Sequence, residues 1–157
     1  LHLEPSSYSG GDAQLLTAEV QAEYQRRYGG PGDESPIDSS EFDAPHGLFV
    51  IGYVNSGDRR EPAAMGGWRS HGNGDAEIKR MYVRPQFARR GYARAVLDYL
   101  EHTARQAGIK RLILETGLKQ PEAIALYTSC GYQPVDKFGH YADDELSVHL
   151  GKDLVGD

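Results

Sequence analysis

Residues 76–108, AEIKRMYVRPQFARRGYARAVLDYLEHTARQAG, constrain the fold more than any other stretch of the chain. Residues 76–83 read as a strand that Arg84-Pro85 ends, since proline cannot donate to a ladder. A basic turn carrying a glycine follows at 86–91. A helix then departs, with Ala93, Val96, Leu97, Leu100, Ala104 and Ala107 recurring at intervals of three and four. Gly108 stands where a C-terminal cap glycine belongs. A strand that feeds a helix through a tight turn leaves the first N–H groups of that helix unpaired, at the positive end of its dipole. Such a start suits phosphate, and Arg89, Arg90 and Arg94 stand beside it.

The other elements are placed around this unit. An edge strand is predicted at 1–3, and a helix at 13–28 with Asp12 as its N-cap and Leu16, Val20, Tyr24 and Arg27 on one face. Gly29-Gly30-Pro31-Gly32 stops that helix. Residues 33–45 are polar and turn-rich, a surface loop long enough to be a candidate lid on a substrate side. Strands are predicted at 48–54 and 63–69. The second contains Gly66-Gly67, a pair that marks a bulge or a close backbone approach. With 76–83 they form an antiparallel meander. A strand at 110–115 follows the central helix, then a helix opened by Gln120-Pro121 and closed at Gly131. A short strand at 132–135, an aromatic and acidic loop at 136–144, and a last strand at 145–150 complete the order, with a polar tail that frays from Gly151. The helix between 76–83 and 110–115 makes a right-handed parallel βαβ unit. The predicted class is therefore α/β: a mixed central sheet with flanking helices, in a single domain over 1–157, with its ligand crevice at the open end of the strands.

Charge and composition narrow the partners. A chain of 157 residues is sized for one core. A net charge of -6 argues against nucleic acid, and the cluster from Arg80 to Arg94 is a local feature on an acidic background. The single cysteine, Cys130, excludes an intramolecular disulfide and a thiolate cage, and the six histidines show no metal-ligand spacing, so no metal is expected. No apolar run approaches the roughly 18–20 residues that cross a bilayer, and no signal pattern is visible. A cytoplasmic protein without a membrane partner is the expectation.

Residues 83–97, VRPQFARRGYARAVL, resemble the acyl-CoA-binding motif of the GNAT family of N-acetyltransferases. That motif is glutamine or arginine, two variable residues, glycine, one variable residue, then glycine or alanine. Gly91 and Ala93 occupy the last two fixed positions. Ala88 stands where glutamine or arginine is usual, which leaves Arg89 or Arg90 to compensate. A second block, Glu115-Thr116-Gly117 followed by Gln120-Pro121-Glu122-Ala123-Ile124-Ala125-Leu126-Tyr127 and Cys130-Gly131-Tyr132, resembles the family's later helix, with Gln120 replacing the usual asparagine. The resemblance implies the acyl-CoA N-acyltransferase (GNAT) fold, acetyl-CoA as donor, and transfer to a primary amine by direct attack. It puts the family's splayed parallel strands on 76–83 and 110–115. It implies pantetheine beside the backbone of Met81, Tyr82 and Val83, pyrophosphate on Arg89, Arg90, Gly91, Tyr92, Ala93 and Arg94, and a cofactor contact from Gln120. Dimerisation is common in the family, and a homodimer through the C-terminal strands is an added expectation.

Individual residues carry more than one reading. Gly91 reads as a phosphate-turn glycine, because a missing side chain lets the backbone approach pyrophosphate. Arg89, Arg90 and Arg94 either contact CoA phosphates or form a solvated basic face. Tyr127 takes the family's general-acid position, and a phenol near pKa ~10 stays protonated at neutrality. Its spacing from Ala123 and Ile124 equally predicts a core aromatic. Glu77 is the favoured general base for an attacking ammonium. Tyr82, the backbone or a water chain are alternatives, and an exposed carboxylate paired with Lys79 is the ordinary explanation. Asp43, His46, Asp143, Asp144 and Glu145 are expected on the acceptor side, where carboxylates favour a cation, with Trp68, Tyr53 and Tyr141 shaping the pocket. Charged surface loops, and a core position for Trp68, explain the same residues. The acceptor is a small-molecule or peptidic amine. A non-catalytic acyl-CoA-binding sensor and an interaction domain without cofactor remain open.

Overall fold

Alternation along the strands decides which residues meet which helix. The computed structural model describes residues 1–154. Its elements are β1 (His2–Pro5), α1 (Gly11–Tyr28), β2 (Gly47–Ser56), β3 (Arg59–Gly72), β4 (Asp75–Val83), α2 (Tyr92–Gln106), β5 (Arg111–Gly117), α3 (Pro121–Ser129), β6 (Gln133–Pro134) and β7 (Ser147–Asp153), with 3-10 turns at Ser39–Phe42 and Pro85–Phe87. They build one seven-stranded sheet in the order β1-β2-β3-β4-β5-β7-β6. Only β4 and β5 pair in parallel, joined through α2; the other neighbours are antiparallel. This is the predicted mixed sheet with flanking helices.

The two faces have separate cores. Ala64 and Trp68 of β3 pack with Val96, Leu97 and Leu100 of α2, while Met65 packs with Leu16 and Val20 of α1. The paired glycines sit where both faces come close. A methyl group on Gly66 would lie 2.7 Å from the Met81 sulfur, and one on Gly67 would lie 2.6 Å from the Phe49 ring and 2.9 Å from the Leu48 carbonyl.

Two boundaries differ from expectation. Helix α1 begins at Gly11 behind an N-cap of Gly10, and Asp12 does not cap it. The Asp12 carboxylate instead accepts from the Tyr53 hydroxyl at 2.7 Å. Strand β7 continues to Asp153, and Leu154 is buried, because β5 needs a partner along its whole length from Arg111 to Gly117. The predicted fraying from Gly151 is therefore wrong through Leu154; its remainder lies outside the described residues.

The feature that opens the sheet is a bulge in β4. Met65 faces Tyr82, but Gly67 faces Lys79, so β4 carries one residue more than β3 across this step. Arg80 absorbs it with a left-handed backbone, φ 61. The bulge breaks the alternation and sends Lys79 and Arg80 to the same side, where both reach Asp33. Pairing of β4 with β5 covers Asp75↔Arg111, Ala76↔Leu112 and Glu77↔Ile113 and ends there. Beyond it the two strands part. Because Gly67 lies beside this step with backbone on one side and a ring on the other, Gly67→Ala is expected to destabilise the protein by roughly 1–3 kcal/mol, read as a lower urea midpoint at neutral pH.

Candidate active site

The wedge between the parting strands is a cavity of about 290 Å³. Ile78, Lys79, Arg80 and Met81 of β4 form one wall and Leu114, Glu115, Thr116 and Gly117 of β5 the other. Tyr24 and Tyr28 of α1 close one side; Gln120, Ala123 and Tyr127 of α3 close another. Tyr127 is 6% exposed, and its ring meets Tyr132 edge-on at 5.7 Å. Its hydroxyl makes no hydrogen bond to another described side chain, and it is not among the fully buried unpaired polar atoms. Burial pushes its phenol up, so it remains a proton donor at neutral pH. Tyr127 is a buried aromatic, as its helical spacing predicts, and it also lines the wedge.

The turn before α2 has the geometry of an anion cradle. Gly91 is the N-cap, at φ 80, and no side chain caps the helix. The Ala95 N–H already bonds the Gly91 carbonyl at 3.1 Å, so the free donors are those of the first turn, Tyr92, Ala93 and Arg94. Arg89 and Arg90 are exposed, with Arg90 over the Phe87 ring at 5.6 Å. Arg94 donates to the Ser129 hydroxyl at 2.9 Å and ties the start of α2 to the end of α3. Along β4 the edge beyond Glu77 has no strand partner on the β5 side. An unpaired strand edge that leads to a cationic helix start fits an amide-bearing arm ending in phosphates, which is the chemistry of CoA. Met81 lines the wedge and Val83 is half-buried on the same strand. Tyr82 offers no side chain here: it packs in the α1 core, and its hydroxyl donates to Glu19 at 3.2 Å. Gln120 is the N-cap of α3, lines the wedge, and donates to the Tyr28 hydroxyl at 3.3 Å.

A second cavity of about 280 Å³ adjoins the first and shares Lys79, Glu115 and Tyr141 with it. Glu77 lines this cavity and not the wedge. It is 8% exposed, and Arg69 donates to its Oε1 through Nε at 3.2 Å and Nη2 at 3.0 Å. The expected exposed carboxylate paired with Lys79 is thus corrected, because Lys79 is held by Asp33 at 3.2 Å and by the Ser35 hydroxyl at 2.7 Å. Glu115 differs from Glu77. It lies on the boundary of both cavities and forms no ion pair among the described residues, and burial raises its carboxyl despite a hydrogen bond with Ser147.

Asp33 joins the parts. Its Oδ1 accepts from the Ser35 N–H at 2.9 Å and the Tyr141 hydroxyl at 2.7 Å; its Oδ2 accepts from Lys79 at 3.2 Å and Arg80 at 2.9 Å. Burial alone would raise this carboxyl, but the Lys79 ammonium and these hydrogen bonds outweigh it and hold Asp33 well below the usual carboxylate range.

Several expected acceptor residues lie elsewhere. Trp68 is 2% exposed beneath α2, with Nε1 donating to Thr103 at 3.1 Å, and lines neither cavity. Its position in β3 gives it the α2 face, away from the acceptor side. Asp43 and His46 are exposed in the turn before β2, and Asp143 and Glu145 are exposed in the loop after β6; none of them lines either cavity. Tyr53 is engaged with Asp12, under the Arg60 guanidinium. Tyr141 lines both cavities, and Asp144 lines the wedge. The residues that sequence reading missed are Asp33, Lys79, Arg80 and Glu115. A carboxylate inside the apolar strand RLILETG and adjacent cations inside IKRMYV were visible signals, since neither residue type belongs in a buried strand without a partner or a task. Asp33 had none: it sits in a glycine-rich turn like many others.

Comparison with known proteins agrees with this geometry. A mixed sheet split between parallel strands, beside an open helix start, is the GNAT fold. The sequence profile of the Acetyltransferase (GNAT) family matches residues 16–132, and the chain belongs to that family. An IAA acetyltransferase of Azospirillum brasilense is 41% identical over 81 residues, 52% of this chain and 53% of the relative. The chain spans about half the length of the curated relatives it matches. Among solved structures, one from Klebsiella pneumoniae assigned to the acyl-CoA N-acyltransferases is 29% identical with a TM-score of 0.79, covering 98% of this chain and 97% of the other. A GNAT-family acetyltransferase from Staphylococcus aureus has a TM-score of 0.78 at 15% identity, covering 98% and 100%, and shares the fold.

The Asp33 cluster yields a stability test. Asp33→Asn leaves Lys79 and Arg80 without their carboxylate and is expected to cost about 3–5 kcal/mol at pH 7. The native Asp33 carboxyl is depressed below its ordinary value of 3.8, so its contribution is present above that pH and is lost as pH falls toward the native value. The difference between wild type and Asp33→Asn in urea unfolding should therefore narrow below pH 3.8.

Proposed function

We propose that this protein is an N-acetyltransferase that moves an acetyl group from acetyl-CoA to a primary amine by direct attack. The observation that carries the reading is Tyr127: a buried phenol, kept protonated by its surroundings, which lines the wedge between β4 and β5 and whose hydroxyl has no side-chain partner among the described residues. The first turn of α2 with Arg89, Arg90 and Arg94 would hold the phosphates, and the β4 edge at Met81 and Val83 would hold the pantetheine arm. Bound acetyl-CoA supplies a thioester carbonyl as electrophile and a thiolate as leaving group. Tyr127 delivers its hydroxyl proton to the departing sulfur.

Proton removal from the amine falls to Glu115 in this reading. Glu115 borders both cavities, so one carboxylate touches the donor space and the neighbouring chamber. Its carboxyl is raised by burial, which brings a base closer to neutral pH and strengthens it. Glu77, the carboxylate favoured by the family resemblance, is engaged by Arg69 and orients that guanidinium against the chamber wall.

Tyr127→Phe is expected to lower kcat by roughly 10²–10⁴-fold while leaving acetyl-CoA affinity, measured by calorimetry, nearly unchanged. Equal turnover in the two proteins removes Tyr127 from the acid role. The pH dependence gives an independent check. Glu115 must be ionised to accept a proton, so kcat/KM should rise with pH through a limb lying above the ordinary glutamate value of 4.5. That limb should vanish in Glu115→Gln and persist in Glu77→Gln. The reverse pattern assigns the base to Glu77.

A further inference from the structure

Tyr127 and Tyr132 stand on either side of one helix stop. The Gly131 N–H bonds the Thr128 carbonyl at 3.1 Å and the Tyr132 N–H bonds the Tyr127 carbonyl at 3.0 Å, with Gly131 left-handed at φ 94. This paired closure ends α3 and brings the side chains that flank it into contact. Here they are two rings, edge-on at 5.7 Å. The Tyr127 hydroxyl has no side-chain partner among the described residues to aim it. Packing therefore sets the direction of the phenol, and Tyr132 supplies an aromatic wall of that packing.

Packing alone would be served by a phenylalanine. Tyr132 instead carries a hydroxyl that is buried with it and donates to Glu101 Oε2 at 2.9 Å. Glu101 lies in the middle of α2, is 5% exposed, and takes no part in the proposed chemistry. Its Oε1 accepts from Lys152 of β7 at 3.0 Å, so the carboxylate is held from two sides. A buried carboxylate is costly unless it is paired, and a hydrogen bond to an ionised acceptor is stronger than one between neutral groups. Burial and the Glu101 carboxylate push the Tyr132 phenol up, so it stays a donor at neutral pH. A second tie reaches the same end of α3: Arg94 of α2 donates to the Ser129 hydroxyl at 2.9 Å, and that hydroxyl donates to the Leu126 carbonyl at 2.7 Å. The turn that carries Tyr127 is thus fastened to α2 at two points.

We propose that Glu101 and Tyr132 are positioning residues for acetyl transfer: the bond between them fixes the Tyr127 ring relative to α2, and so fixes its hydroxyl relative to the sulfur of an acetyl-CoA whose phosphates rest on the start of the same helix. Helix α3 has nine residues, and isolated helices below about 12–15 residues are marginal in water, so its last turn takes its place from what it is tied to. Proton transfer needs the phenol within about 2.6–3.2 Å of the accepting sulfur or one water away. A misplacement of about 1 Å, caused at a distance from the chemistry, can cost 10²-fold in rate. The inference rests on the acid role proposed above for Tyr127 and adds what holds that acid in place.

The test is a double-mutant cycle on kcat: wild type, Tyr132→Phe, Tyr127→Phe and the double variant. Thiol release from acetyl-CoA is followed with the best acceptor from a panel of an alkylamine, an arylalkylamine, an amino-acid amide and a lysine-bearing peptide, and acetyl-CoA binding is measured on each protein by calorimetry. Tyr132→Phe keeps the ring and loses only the bond to Glu101. It is expected to lower kcat by roughly tenfold, with the acetyl-CoA Kd and the amine KM changed by less than about twofold. In the Tyr127→Phe background the same change should cost less than about twofold, because no acid is left to position. An equal loss in both backgrounds is the mark of a merely structural role. That result, or wild-type kcat in Tyr132→Phe, overturns this inference and leaves the acid role of Tyr127 standing. If Tyr132→Phe does not bind acetyl-CoA, Glu101→Gln, which weakens the same bond by removing its charge, is read through the same cycle against the same outcomes. Tyr127→Phe with wild-type turnover overturns the acid role, and acetyl-CoA bound with no amine acetylated overturns the proposed function; this inference falls with either.

Discussion

Lys79 and Arg80 are neighbours in sequence and lie on one side of the sheet, a placement that two like charges resist unless a carboxylate stands between them. Asp33 is that carboxylate. Its Oδ2 serves both cations, and the extra residue in β4 puts them in reach of it. The left-handed backbone of Arg80 is unfavourable by itself for a residue with a side chain. It persists where surrounding bonds over-determine it. The guanidinium of Arg80 is gripped by Asp33 and by the Tyr8 hydroxyl at 3.1 Å, so the bulge is held from two directions. From this follows the parting of β4 and β5, and from the parting the wedge in which Tyr127 lies.

The site divides its work between backbone and side chains. The proposed phosphate cradle would depend on unpaired N–H groups, and these require a helix start without a capping side chain, which Gly91 provides. Arg89, Arg90 and Arg94 add exposed positive charge at the rim. The proposed acid and base are side chains, and burial shifts both in the same direction. Burial disfavours the charged form of a phenol and of a carboxyl alike. In the proposed roles this keeps Tyr127 an acid and makes Glu115 a stronger base, so burial in one wedge suits two opposite tasks.

The strand, turn and helix of residues 76–108 were readable because each depends on local pattern: alternation, a proline stop, a glycine turn and a three-four repeat. The later block around Tyr127 was readable for the same reason. Trp68, Asp43 and His46 were misplaced because residue type does not say which face of a sheet or which end of a loop a side chain occupies. Trp68 and Gly67 are adjacent, yet one packs under α2 and the other under Phe49. Tyr141 lines both cavities from its aromatic loop, but its partner Asp33 lies 108 residues away in a turn with no distinguishing pattern. Contacts of that separation are set by the topology of the sheet, and no local window contains them.

Strand β7 follows β6 in sequence but lies inside the sheet, between β5 and β6. Strand β5 therefore has a complete set of hydrogen-bond partners only after residues 147–153 have been made, with Leu114 opposite Leu150 at the centre of the ladder. The meander β2-β3-β4 and its helices precede these residues and can assemble while they are still being synthesised. The wall that carries Glu115 is then the last part of the sheet to become rigid. A nascent chain can form the first turn of α2 before β5 gains its second partner, so the order of synthesis leaves the wall that carries Glu115 until the sheet is closed.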